Sequence, residues 1–245
     1  MNDDHLVAIW HGWSTSALGA VTLIAFVIGQ TVAAIGYLVV VKLLDPQVNI
    51  QALANNIMGN GTLLSLSILV GSLAGCGVTI LFAWLKAKRR TGIYLGLSRS
   101  SPRTLLICAG ATALFVAVAD STTHFLDRPI VPEFMASGYE TVTFKPLFWL
   151  AVCLAAPLFE ELFFRGFLFP GWTRVLGQTG AVVATSLVWT GIHFQYGLYE
   201  LSQVFLLGLM FGTMKVKTGS TIPSFVCHVI ANVIATVEAV IFVNS

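Results

Sequence analysis

Two glutamates and an arginine, Glu160, Glu161 and Arg165, interrupt the run APLFEELFFRGFLF at residues 156–169, which is otherwise apolar and aromatic. A carboxylate or guanidinium at the centre of a membrane-spanning helix costs on the order of 2.5–3.5 kcal/mol on insertion scales. Such groups therefore turn toward a protein interior or a watery cavity and usually serve a function. Glu161 and Arg165 are spaced i,i+4 and share one helix face, where a salt bridge compensates both charges. Glu160 lies about 100° further round the helix and is poorly placed for the same partner. The spacing separates a self-neutralising structural pair from one acid left to act on something else.

Two histidines also fall within apolar segments. His193 closes the pattern WTGIH, with Trp189 four residues earlier, and His228 opens HVIAN, with Asn232 four residues later; on a helix each pair shares a face. A single histidine in a helix bundle is most often a hydrogen-bonded core residue. Glu160, His193, His228 and Asn232 taken together, on three separate segments, make up what a hydrolase requires: a base to activate water and polar donors to stabilise an oxyanion. His5, His11 and His124 lie near the terminus or a polar connection and read as surface or interfacial residues. Cys76, Cys108, Cys153 and Cys227 stand in apolar segments without CxxC spacing and read as buried small residues.

The elements that must position these groups are membrane helices. Of 245 residues, 56% are hydrophobic and 10% charged, against about 25% charged in a soluble domain, and the mean hydropathy is +0.85. Runs of roughly 17–25 apolar residues are long enough to span a bilayer as helices. They occur at 17–44, 63–85, 104–119, 146–169, 180–194, 201–216 and 221–243. The expected fold is all-α: one polytopic domain over 1–245 with seven spans, or eight if a long run is broken. Residues 120–145, with Pro129 and Pro132, read as a surface connection. The N-terminus lacks a basic n-region and does not read as a removable signal peptide.

Cytoplasmic loops of membrane proteins are enriched in Lys and Arg. Lys86, Lys88, Arg89, Arg90, Arg99, Arg103, Arg174, Lys215 and Lys217 fall on one side of alternating spans, and only Lys42, Arg128 and Lys145 on the other. This orientation puts the N-terminus in the cytoplasm of a multi-pass protein, in the plasma membrane if the source is prokaryotic. Counted from the cytoplasmic ends of their spans, Glu160, His193 and His228 come out at about 14, 20 and 10 Å, which places a shared site in the cytoplasmic half. A net charge of +2 gives no reason to expect a nucleic-acid partner. The patterns Gly71–Gly75 and Gly208–Gly212 have GxxxG spacing and read as helix-packing faces.

The ordered motifs resemble a known family. EELFFR at 160–165 is similar to the EExxxR signature of the CAAX protease and bacteriocin-processing (CPBP, or Abi) intramembrane proteases, and HVIAN at 228–232 to its HxxxN element. The family's intervening FxxxH appears as WTGIH, with Trp189 in place of phenylalanine. The resemblance covers about 146–243. It implies a membrane hydrolase, an intramembrane endopeptidase that cuts a membrane-bound or prenylated protein or peptide near the cytoplasmic membrane surface. Glu160 with His193 would polarise the attacking water, His228 and Asn232 would bind the oxyanion, and Glu161 and Arg165 would hold the site together. No cofactor is favoured. Zinc on Glu160, His193 and His228 is the alternative, although HExxH is absent. Two other function classes stay open from the residues alone: a proton-coupled transporter or channel, and a non-catalytic membrane scaffold or immunity protein.

Overall fold

The computed structural model describes residues 7–56 and 59–244; His5 lies outside them. Helices α1 (Gly12–Leu44), α2 (Ile50–Asn55), α3 (Gly61–Ala87), α4 (Thr91–Tyr94), α5 (Pro102–Phe125) and α6 (Glu133–Thr141) lead into one long helical run, Lys145–Gly191. That run comprises α7 (Lys145–Trp149), α8 (Ala156–Glu160) and α9 (Phe169–Gly191), joined by π-helical turns at Leu150–Ala155 and Glu161–Leu168. Helices α10 (Leu198–Thr218) and α11 (Ile222–Asn244) complete the bundle. No strand occurs among the described residues.

Local signals set the ends. The Asn60 carboxamide accepts from the Leu63 amide at 2.9 Å to start α3. Ser101 does the same for Thr104 at 3.1 Å, with Pro102 at the first turn of α5, where its missing N–H costs nothing. Gly219, at φ 68°, ends α10.

The long run is not straight. A continuous helix would hold Glu160 and Trp189 about 43 Å apart, yet the Trp189 indole N–H donates to the Glu160 carboxylate. The reversal lies at Gly177, whose φ of 68° and ψ of 176° belong to a region that essentially only glycine enters. Residues 145–176 and 178–191 are therefore two antiparallel legs. Five helical stretches are long and apolar enough to cross a membrane among the described residues. The expected seven differ because the two legs count as one stretch and because α10, with Glu200, Gln203, Lys215 and Lys217, falls outside the apolar set.

The bundle has two distinct ends. At the basic end, the Trp10 indole N–H donates to the Phe82 carbonyl at 3.0 Å, Arg174 to the Ile9 carbonyl at 3.3 Å, and the Thr221 amide to the Gly96 carbonyl at 2.8 Å. At the opposite end, the Gly61 amide donates to Thr141 Oγ1 at 2.8 Å, and Thr123 meets the Tyr199 hydroxyl at 2.9 Å.

Packing follows membrane logic: apolar side chains such as Ile24, Val32, Leu106 and Leu114 point outward, while Thr15, Thr22, Ser65 and Thr112 are buried. Lipid tails offer helices no hydrophobic incentive to associate, so close backbone approach by small residues takes over. A Cβ on Gly71 would lie 3.0 Å from the Phe26 carbonyl oxygen, and one on Gly75 would collide with the Phe159 ring. Residues 161–168 are all buried, so the leg carrying the two glutamates is the central helix.

A Gly177→Ala substitution should destabilise the purified protein by about 1–3 kcal/mol through backbone strain alone, since nothing lies within 4 Å of the added methyl. Gly36→Ala, equally unhindered but inside α1, should be neutral or stabilising. Thermal unfolding in detergent compares the two.

Candidate active site

Three polypeptide segments converge around the central helix. Glu161 is 1% exposed and its Oε1 accepts from Arg165 Nη1 at 3.1 Å and faces His228 Nδ1 at 3.0 Å. Its Oε2 has no hydrogen-bond partner among the described residues. Arg165, fully buried, also donates from Nη2 to the Gly208 carbonyl at 3.2 Å, and its guanidinium lies 4.8 Å from the Trp189 ring centroid. A Cβ on Gly208 would press against Trp189 and Ser186, and one on Gly212 against Val182. The second glycine pair thus brings α10 close enough for its carbonyl to reach the guanidinium.

Glu160 faces a different way. Its Oε2 accepts the Trp189 indole N–H and lies 3.8 Å from His228 Nε2, and its side chain is 12% exposed where that of Glu161 is nearly sealed. His228 stands between the two acids, one ring nitrogen toward each. A Nδ1–H donated to Glu161 leaves Nε2 turned toward Glu160 and the open space beside it.

Asn232, one turn further along α11, donates from Nδ2 to the Val152 carbonyl at 2.8 Å. The cause is local. In the π-helical turn the bonding partner lies five residues on, as the Ala156 amide bonded to the Ala151 carbonyl illustrates. For Val152 that partner is Pro157, which has no N–H. Asn232 satisfies the orphaned carbonyl and keeps a second amide hydrogen.

His193 departs from the expected placement. The second leg ends at Gly191, and His193 lies in the turn beyond it, with Nδ1 2.7 Å from the Trp189 carbonyl and its ring 5.1 Å from the indole. The leg is only about 21 Å long, so a depth of about 20 Å from the basic end is its far end. The expected placement of His193 in the cytoplasmic half is corrected accordingly: it stands near the opposite end of the bundle.

Glu160, His193, His228 and Asn232 all line one cavity of about 750 Å³. Its walls also carry Asp120 and Glu238, which share a side-chain hydrogen bond, and no lysine or arginine lines it. Residues that sequence reasoning missed complete the frame. Phe211 lies 5.2 Å from the His228 ring and 6.0 Å from Trp189. Tyr196 stacks on His193 at 6.0 Å; burial and then the nearby carboxylates of Glu160 and Glu200 push its phenol up from the usual value. The Gly208–Gly212 stripe was a signal for Phe211, which it contains; nothing in the sequence singles out Tyr196.

Zinc would need its ligands about 2.0–2.2 Å from one point. Among the described residues no three His, Cys, Asp or Glu side chains are grouped to hold a metal ion, and His193 turns Nδ1 to a backbone carbonyl. Glu160, His193 and His228 do not fit zinc in this arrangement.

Residues 142–234 match the family model of the Rce1-like type II CAAX prenyl endopeptidases. The matched stretch contains every site residue named above except Asp120 and Glu238. The match agrees with the CPBP resemblance and, with the apolar helices, supports a multi-pass membrane peptidase of the CAAX-protease type. No curated protein and no solved structure matches.

Removing one member of a buried ion pair strands the other, at about 3–5 kcal/mol. Glu161→Gln and Arg165→Met should each lower thermal stability by about that amount, and the double variant by less than the sum of the two. Equal additivity in detergent melts would show that the two charges are not coupled.

Proposed function

We propose that the chain is a glutamate-dependent intramembrane endopeptidase acting on a membrane-bound or prenylated protein or peptide. The observation that carries this reading is the pairing of one solvent-reachable carboxylate, Glu160, with an imidazole whose other nitrogen is fixed by a buried one, His228 on Glu161. Glu160 takes a proton from water as the water oxygen bonds to the scissile carbonyl carbon. The same proton then passes to the departing amide nitrogen as the C–N bond breaks. With both ring nitrogens protonated, His228 donates from Nδ1 to Glu161 and from Nε2 to the oxyanion, which the second Asn232 amide hydrogen also stabilises from the cavity wall. His193, at the cavity wall, helps orient the water. Glu161 and Arg165 act through His228 and Trp189, by holding them in place.

The Lys and Arg distribution supports an N-terminus in the cytoplasm and, for a prokaryotic source, insertion in the plasma membrane. A proton-relay function has less support: toward the basic end Phe211 packs over His228 within a buried aromatic core.

Glu160→Gln should lose about 10²-fold or more of peptide-cleaving activity in detergent while melting at the parent's temperature. Retained cleavage would remove Glu160 as the base. Cleavage by the parent should also survive exhaustive chelation; loss that zinc alone restores would overturn the metal-free reading.

A further inference from the structure

The geometry points to a binding site for an anionic phospholipid on the outer face of α3, where Lys88 and Trp84 hold the headgroup and the stripe of residues before them holds an acyl chain. It stands apart from the peptidase site: none of the residues involved lines the cavity.

The first sign is a strained lysine. Lys88 ends α3 at φ 51° and ψ −120°, outside the regions open to a residue with a side chain. Glycine would enter that conformation without steric cost. Backbone strain of this kind collects at ligand clamps, where the surrounding structure enforces it. What it places here is an ammonium: Lys88 Nζ lies 4.4 Å from the centre of the Trp84 ring. Trp84 is 49% exposed, and its indole N–H makes no hydrogen bond among the described residues. A cation and an N–H donor therefore stand side by side on the outside of the bundle, a pair suited to a phosphodiester and the glycerol ester oxygens behind it.

The second sign is the surface that leads to them. Leu73, Gly77, Ile80, Leu81 and Trp84 recur at helical intervals, so they lie along one side of α3 with Lys88 at its end. All are exposed, and nothing lies within 4 Å of a Cβ on Gly77, which leaves a notch in the stripe. From Leu73 to Trp84 the stripe runs about 16 Å, the depth of one leaflet of the hydrocarbon core. Charge decides which lipid fits. Arg89 and Arg174 are exposed at the same end, where no Asp or Glu lies among the described residues, and no salt bridge among those residues reaches Lys88. A zwitterionic headgroup would bring a cation of its own against these groups, and an anionic one would not. The Lys and Arg bias that supports a cytoplasmic placement for this end also sets it at the leaflet where anionic lipids gather. Orientation alone would be served by a lysine anywhere in the loop and does not call for one where glycine fits better.

Lipid retention by the full chain tests this in uncharged detergent, with phosphatidylglycerol and phosphatidylcholine of the same acyl chains as probes. Native mass spectrometry reads the retained lipid, and thermal unfolding reads its effect. The parent should retain phosphatidylglycerol in preference and melt higher with it than with phosphatidylcholine. Lys88→Gln keeps the strained backbone but removes the charge, and should lose about fivefold of that preference. Lys88→Gly should lose as much while melting above the parent in detergent alone, because the strain is relieved. Trp84→Leu keeps the apolar surface without the indole and should weaken retention of phosphatidylglycerol. Equal retention of the two lipids by the parent, or an unchanged preference in either Lys88 variant, overturns the inference. Inorganic phosphate that reproduced the whole melting shift would overturn it too, since the site would then bind a free anion. Displacement of the lipid by a prenylated peptide would assign the face to substrate, with the same consequence. Neither readout depends on cleavage, so the outcome is separate from that of the peptidase reading.

Discussion

A guanidinium with no exposed surface, in the middle of a membrane bundle, fixes most of what surrounds it. Arg165 cannot shed its charge and must be neutralised and hydrogen-bonded where it stands. Glu161 supplies the neutralising charge, the Gly208 carbonyl of α10 a second acceptor, and Trp189 a π face. Two of these partners are also bound to groups that line the cavity. Glu161 holds His228 of α11, and Trp189 hands its indole N–H to Glu160. The orientations of His228 and Trp189 beside Glu160 are thus tied to the requirement that one buried cation be satisfied. Such preorganisation is useful because donors already aimed at a developing charge need not reorganise during reaction.

The central helix gains this geometry by abandoning regular α-helical winding around both sides of the glutamates. A π turn widens the helix and frees carbonyls that an α-helix would occupy. Pro157 makes the vacancy at Val152 permanent, and Asn232 fills it, so a backbone irregularity on one helix positions a side chain on another. A proline in the middle of a span is tolerated in membranes when a neighbouring helix re-satisfies the freed group, and here that neighbour lines the cavity.

Much of this was legible in the sequence because the constraint is strong. An i,i+4 acid–base pair in a greasy helix has few alternatives to a bridge, and Glu161 and Arg165 form one. The convergence of Glu160 and His228 could be anticipated from depth along their spans, and Asn232 from sharing a helix face with His228. His193 could not be placed, since the end of its leg depends on where the chain reverses. One glycine, Gly177, decides that, and its φ of 68° is invisible to hydropathy. The dual role of His228, one nitrogen toward each glutamate, was hidden for a related reason: helix rotation about its own axis is set by packing. The Asp120–Glu238 pair joins α5 to α11 across the cavity, and no local spacing relates residues so far apart in the chain.

The same bundle must keep one acid dry and the other wet within two consecutive residues. Trp189 is the partition that allows it. Its face covers the guanidinium and its edge meets Glu160, with only 2% of its surface exposed. On the sealed side, Phe211 and the aromatic core keep water from Glu161 and Arg165, where low polarity strengthens their attraction. On the cavity side, the Glu160 side chain keeps 12% of its surface open to the cavity. A tryptophan in place of the family's phenylalanine adds an N–H at that boundary. The substitution therefore contributes a hydrogen bond to Glu160 as well as an aromatic surface, and the carboxylate is held at the cavity wall by a donor that a phenyl ring could not provide.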